Sequence, residues 1–222
     1  MTVIGKVGVI GAGTMGNGIA QACAVAGLPV AMVDIDDAAV ARGMAAIGAS
    51  LDRLVKKEKL TAVAKDEALG RVAGGTRYDA FRDCDLVIEA ATENVDLKLR
   101  ILREADKVAR PDALIASNTS SISITTLAAA MSGPSRVLGL HFFNPVPMMA
   151  LVEVIRGLQT GDDAVAAAEA FAKRLGKTPI VVRNSPGFVV NRILCPMLNE
   201  AVFALQENLA TAQAIGDRKS VV

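Results

Sequence analysis

The stretch Gly11-Ala12-Gly13-Thr14-Met15-Gly16 constrains this chain more than any other part of it. It follows the apolar run Val7-Gly8-Val9-Ile10 and opens a helical pattern carried by Ile19, Ala20, Cys23 and Ala24. Strand, glycine turn and helix, in that order, make G-x-G-x-x-G a dinucleotide site. Gly11 permits the tight turn, Gly13 lets the backbone approach a pyrophosphate, and Gly16 lets the helix pack close to the strand. Ala12, Thr14 and Met15 lie between these glycines, where the start of the helix offers N–H donors and partial positive charge to phosphate. Asp34 ends a second apolar run, Val30-Ala31-Met32-Val33, and a carboxylate there can accept from ribose hydroxyls. Asp36 and Asp37 follow with no arginine nearby, so a 2′-phosphate would be repelled. The cofactor expected is NAD rather than NADP.

Strands and helices alternate for most of the length, which predicts an α/β, Rossmann-type, doubly wound and mainly parallel sheet. Strands are expected at 6–10, 30–34, 71–74, 86–89, 114–117, 137–140, 151–155 and 180–183. Helices are expected at 15–26, 38–57, 96–109, 124–131 and 164–175. The segment from Asp37 to Leu69 is too long for one crossover helix and is broken by Lys56-Lys57-Glu58-Lys59, which predicts a helical hairpin projecting from the sheet. Ser50 and Lys57, seven residues apart, share one face of it. That face is either a binding surface or a solvated charge run. Asn184-Ser185-Pro186-Gly187 reads as a linker, and the helical pattern after it, from Phe188 to about Leu209, is apolar on more than one stripe, as in a bundle. The division expected is therefore 1–184 for a cofactor-binding domain and 185–216 for the start of a helical one.

Composition excludes several classes. A net charge of +1 and 3% aromatic residues leave neither a basic footprint nor a stacking platform for nucleic acid. Charge or glycine interrupts every apolar stretch before membrane-spanning length, and the first strand begins almost at once, leaving no room for a signal peptide. Cys23, Cys84 and Cys195 show no metal-ligand spacing, so no metal is expected, and they read as reduced, buried thiols of a cytoplasmic protein.

His141 is the only histidine, placed at the end of the sixth strand, where chemistry in open α/β sheets gathers. The rigid loop Asn144-Pro145-Val146-Pro147 follows. Glu153 lies inside Leu151-Val152-Glu153-Val154-Ile155, where a carboxylate needs a cation or strong donors. It either pairs with His141 or faces solvent on an edge strand. Ser117-Asn118-Thr119-Ser120-Ser121, ending the fifth strand, either meets a substrate or caps the next helix, with Ser121 as the cap.

Together the glycine turn, Asp34, Ser117–Ser121, Leu140-His141-Phe142-Phe143-Asn144-Pro145-Val146-Pro147 and the strand glutamate resemble the L-3-hydroxyacyl-CoA dehydrogenase family, bacterial 3-hydroxybutyryl-CoA type. The resemblance implies reversible, NAD-dependent oxidation of (S)-3-hydroxyacyl-CoA to 3-oxoacyl-CoA. It implies a catalytic pair His141–Glu153, with Ser120 and Asn191 contacting substrate oxygens. Asn191 belongs to Pro186-Gly187-Phe188-Val189-Val190-Asn191-Arg192, similar to the family's domain-junction motif. The resemblance further implies that Glu93, Lys98, Asn118, Ser120 and Asn144 border the NAD site, that Ser50 and Lys57 meet coenzyme A, with Ser120 also on the substrate, and that the full-length protein is a homodimer.

The family's helical domain is longer than the stretch beyond Asn184 here. Residues 217–222, Asp-Arg-Lys-Ser-Val-Val, match one frame of a common sequencing-adapter oligonucleotide, so they are expected to be a non-native tail of a truncated gene. A chain so shortened should keep NAD binding and show weak or no turnover. Three alternatives remain at this point: a free hydroxy-acid dehydrogenase of the gulonate type, a piece of a multifunctional fatty-oxidation protein, and a non-catalytic, crystallin-like NAD binder.

Overall fold

The computed structural model describes residues 3–218, with side chains to residue 216; of the tail expected at 217–222, residues 217 and 218 continue a helix and 219–222 lie outside the described residues. Eight strands form one sheet in the order β3-β2-β1-β4-β5-β6-β7-β8. They are β1 (Val7–Ile10), β2 (Val30–Val33), β3 (Val72–Gly75), β4 (Leu86–Glu89), β5 (Leu114–Ser117), β6 (Val137–Phe142), β7 (Leu151–Arg156) and β8 (Thr178–Arg183). β1, β2, β4, β5 and β6 are buried along their whole length, which is why they read as unbroken apolar runs: helices cover both faces of a parallel sheet. From β1 the chain winds outward in both directions, to β2 and β3 on one side and to β4, β5 and β6 on the other. A crevice opens at the carboxyl ends of strands where the winding reverses.

The covering helices are α1 (Thr14–Val25), α2 (Asp37–Lys56), α3 (Ala62–Gly70), α4 (Val95–Val108), α5 (Ile124–Ala129) and α6 (Asp162–Arg174). Asp36 starts α2 by accepting from Ala39 N–H at 2.7 Å, and Thr61 starts α3 by accepting from Ala64 N–H at 3.1 Å. The hairpin α2–α3 is closed by an ion pair from Lys65 to Asp52 at 2.6 Å. It packs on α1 through Ile47, Leu51 and Ala68, which join Ile19, Ala20 and Cys23 in one buried cluster. Ile47 and Leu51, fully buried, each contribute about 1.5–3 kcal/mol.

β7 runs antiparallel to β6, and β8 then runs parallel to β7. α7 (Val190–Gln206) and α8 (Ala212–Arg218) follow. α7 has no buried residue, and Ile193, Val202 and Phe203 face outward.

Three local expectations are corrected. β6 continues through Phe142, so His141 is inside the strand and not beyond its end. Ser123, not Ser121, caps α5, accepting from Thr126 N–H at 3.3 Å. Cys195 is exposed because it lies on α7, whereas Cys23 and Cys84 are buried. Burial pushes the Cys23 thiol up to about 12 and the Cys84 thiol up to about 11, so both stay protonated and inert. Among the described residues no helix is long and apolar enough to cross a membrane.

Candidate active site

The glycine turn is held by contacts that only glycine permits. Gly11 has φ +100°, and a Cβ there would approach Ala90 O to 2.9 Å. Gly13 forms the start of α1 with no side-chain cap, and a Cβ on it would meet nothing within 4 Å. The uncapped N–H groups of the first turn therefore face open space. Asp34 Oδ2 accepts from Ala12 N–H at 2.6 Å and Oδ1 from Ile35 N–H at 2.6 Å, tying the end of β2 to the turn. Beside Asp34 a cavity of about 470 Å³ is lined by Gly11, Ile35, Tyr78, Leu97 and Ile101 among others. A carboxylate at the mouth of an apolar slot, next to an open helix start, fits an adenosine ribose and pyrophosphate. Tyr78, Leu97 and Ile101 carry no signal in the sequence, because apolar residues on covering elements look alike whether they line a slot or fill a core.

Beyond the turn, β6 and β7 pair His141 directly opposite Glu153. Directly opposed residues project from the same face of a sheet, so register alone brings the two side chains together. His141 Nδ1 lies 2.7 Å from Glu153 Oε2, and Nε2 lies 3.1 Å from Ser120 Oγ. Glu153 is fully buried, and its Oε1 accepts from Val189 N–H at 2.9 Å and Val190 N–H at 3.0 Å. The rings of Phe143 and Phe188 stand 4.5 Å and 5.7 Å from the imidazole. Asn191 reaches the same place from α7, its Nδ2 donating to Ser120 O at 3.4 Å. The solvent-facing alternative for Glu153 is excluded.

The polar segment after β5 is organised from below. Asn118 Oδ1 accepts from Phe142 N–H at 2.9 Å, locking the segment to β6. Glu93 accepts from Thr119 Oγ1 at 2.7 Å and from Ser120 N–H at 3.2 Å, which orients Ser120. Lys98 does not open onto the crevice: it is 1% exposed, and its ammonium pairs with buried Glu89 and donates to Ser117 Oγ at 3.2 Å. Ser117 Oγ donates in turn to Glu89 Oε2 at 3.0 Å, and Glu89 Oε1 accepts from Ala91 N–H at 2.9 Å. Sequence reasoning missed Glu89. The available signal was a carboxylate closing an otherwise apolar central strand, which demands a buried cation. Lys98→Met would strand that carboxylate, so unfolding in urea is expected to show a loss of about 3–5 kcal/mol. Adding Glu89→Gln should recover part of it, because a neutral amide still accepts from Ala91. No loss in the single variant would refute the pairing.

Asn144–Pro147 packs on α1, where a Cβ on Gly18 would come within 2.9 Å of Val146 Cβ. Lys177 Nζ holds this loop by donating to Val146 O at 2.6 Å and Met149 O at 2.8 Å. A cavity of about 270 Å³ between loop, α1 and α2 is lined by Asn144, Thr14 and Ser50, and also by Arg53, which no sequence motif marks. Lys57 ends α2 about two turns beyond Ser50, exposed and outside that cavity lining.

Residues 6–185 match the family model described as 3-hydroxyacyl-CoA dehydrogenase, NAD binding domain, and residues 187–218 match that described as its C-terminal domain. The chain belongs to the 3-hydroxyacyl-CoA dehydrogenase family. A 3-hydroxybutyryl-CoA dehydrogenase of Bradyrhizobium diazoefficiens is 49% identical over 213 residues, 96% of this chain and 73% of that protein. The crystal structure of (S)-3-hydroxybutyryl-CoA dehydrogenase PaaH1 from Ralstonia eutropha superposes with a TM-score of 0.93 at 63% identity, covering 95% of this chain and 75% of that one. The alpha subunit of the fatty acid oxidation complex of Acinetobacter baylyi is 47% identical over 193 residues, 87% of this chain but 27% of its own length. Within this family, Rossmann-type architecture and NAD as cofactor follow for the chain.

Proposed function

We propose that the protein catalyses the NAD-dependent, reversible oxidation of (S)-3-hydroxyacyl-CoA to 3-oxoacyl-CoA, with His141 as the proton acceptor. The observation that carries this is the Ser120–His141–Glu153 array. One imidazole nitrogen is occupied by a buried carboxylate at 2.7 Å, and the other faces a serine hydroxyl at 3.1 Å. The Bradyrhizobium and Ralstonia relatives are named for 3-hydroxybutyryl-CoA, which favours a short acyl chain here. Gly11, Ala12, Gly13, Thr14, Met15 and Gly16 would hold the NAD pyrophosphate and Asp34 the adenosine ribose. Glu93, Asn118, Ser120 and Asn144 would border the remainder, with Lys98 acting from beneath through Glu89 and Ser117.

When bound, NAD supplies the hydride acceptor. The protein's own residues handle the proton. Loss of hydride from C3 of a secondary alcohol builds positive charge on that carbon unless the hydroxyl proton departs with it. With Nδ1–H donated to Glu153, Nε2 carries a lone pair and takes that proton. Glu153 fixes the tautomer and stabilises the imidazolium that results. In the reverse direction the imidazolium returns the proton to the developing alkoxide. Ser120 and Asn191 orient the substrate oxygen, while Phe143 and Phe188 keep water from the imidazole. Ser50, with Lys57 further along the hairpin, would meet the coenzyme A portion.

Residues 1–184 form the NAD-binding domain in this proposal, and residues 185–216 open a helical domain whose remainder covers the apolar surface of α7 and forms the homodimer of the full-length protein. Three cysteines without a disulfide suit a cytoplasmic enzyme. The deciding assay compares acetoacetyl-CoA with free acetoacetate as NADH-dependent substrates of the full-length protein. Remote binding energy from coenzyme A should raise kcat/KM about 100-fold or more for the thioester. Equal use of the free acid would favour a hydroxy-acid dehydrogenase instead.

A further inference from the structure

Glu153 has two sets of partners, and they come from different parts of the chain. Oε2 serves His141 across the β6–β7 pair. Oε1 is held by Val189 and Val190 N–H, which lie at the very start of α7, outside the sheet. These amides are aimed by two consecutive residues in the left-handed region, Gly187 at φ +74° and Phe188 at φ +51°. Glycine adopts that conformation freely, whereas phenylalanine does so at a cost and only where its surroundings hold it. Phe188 is held: its ring is 2% exposed, clusters with Val182 and Ile124, and meets His141 edge-on. Its N–H donates to Ser185 O at 2.9 Å, and Arg192 N–H donates to Gly187 O at 3.1 Å, closing the turn.

We infer that the start of α7 arms Glu153, and that Phe188 is the positioning residue that sets the arming amides. A buried carboxylate facing a single imidazole has a lone-pair side that needs donors. Val189 and Val190 supply them and fix the carboxylate's orientation, so Nδ1–H of His141 always finds Oε2. The inference rests on His141 being the proton acceptor, and adds that its tautomer depends on where α7 sits. A movement of α7 away from the sheet releases Oε1, and with it the hold on the imidazole. Proton transfer is thereby linked to the placement of the helical segment through the backbone donors to Glu153, beside the separate contact that Asn191 of α7 makes to Ser120 O.

The test uses the fact that His141 is the only histidine, so labelling histidine with 15N reports one imidazole. Val190→Pro deletes one arming N–H at the first helical position, at a cost to the αR backbone of Val189 before it, and Val190→Ala shortens the side chain while keeping the donor. In this chain, Val190→Pro should move the ring nitrogens from the Nδ1–H pattern toward mixed tautomers, relative to Val190→Ala. In the full-length protein, kcat should fall about 10-fold or more below Val190→Ala, the loss expected of a hydrogen bond to a charged group, at equal KM for NADH. Phe188→Gly keeps the left-handed turn but removes the ring, and should show the same signature. It decides the matter if Val190→Pro does not fold. Identical imidazole spectra and kcat in Val190→Ala, Val190→Pro and Phe188→Gly would overturn the inference, as would a parallel loss of NADH affinity, which marks general damage. The underlying proposal fails separately: His141→Gln that still turns over removes it whatever the other variants do.

Discussion

Gly16→Ala is expected to abolish NAD binding and to cost the fold about 3 kcal/mol, the upper end for overpacking. A Cβ on Gly16 would lie 1.8 Å from Gly11 O and 2.7 Å from Gly11 C. Both are backbone atoms, so no rotamer change relieves the overlap. Gly11 cannot retreat either, because its own neighbours, Ala90 O and the Cα of Ala91, stand 2.9 Å from where its Cβ would be. α1 must then lift off the turn, and its first N–H groups lose their aim. Gly13→Ala separates the two consequences. Its Cβ meets no protein atom within 4 Å, so stability should stay near that of the parent while the methyl group intrudes on the space proposed for the pyrophosphate. Urea midpoints and NADH fluorescence titrations on both variants check this. NADH binding by Gly16→Ala within a few-fold of the parent would contradict the account of the turn.

Most of the fold was legible because its signals are local. Fully buried parallel strands read as apolar runs, and Gly27 at φ +83° and Pro29 punctuate the first crossover where they should. The geometry of the candidate site was legible where a particular side chain stands out: Asp34 bonded to the glycine turn, and His141 paired with Glu153. What escaped depends on tertiary placement. Lys98 belongs to a helix rich in charge, Val95-Asp96-Leu97-Lys98-Leu99-Arg100, where one buried ammonium looks like its solvated neighbours. Ser123 displaced Ser121 as the cap because several serines in a row offer equal local chemistry, and packing of Ile124 decides among them. The donors to Glu153 are main-chain N–H groups, which any non-proline sequence supplies, so no residue type announces them. Arg53 lines the cavity beside Ser50 although the family resemblance points to Lys57, because only three-dimensional proximity to Asn144–Pro147 selects it.

The other large effect belongs to His141→Gln. Glutamine keeps a polar group of similar reach between Ser120 and Glu153, so the pocket should survive, but an amide cannot accept and return a proton near neutral pH. The turn at Gly11–Gly16 with Asp34, proposed to hold NAD, is built from other elements and should be untouched. The decisive measurement is therefore kcat for NADH-dependent reduction of acetoacetyl-CoA by His141→Gln in the full-length protein, taken beside its dissociation constant for NADH. Loss of a general acid–base group predicts kcat lower by about 1,000-fold with the NADH constant within about twofold of the parent. Turnover at the parental rate, or a loss matched by equally weakened NADH binding, would contradict a proton-transfer role for this imidazole.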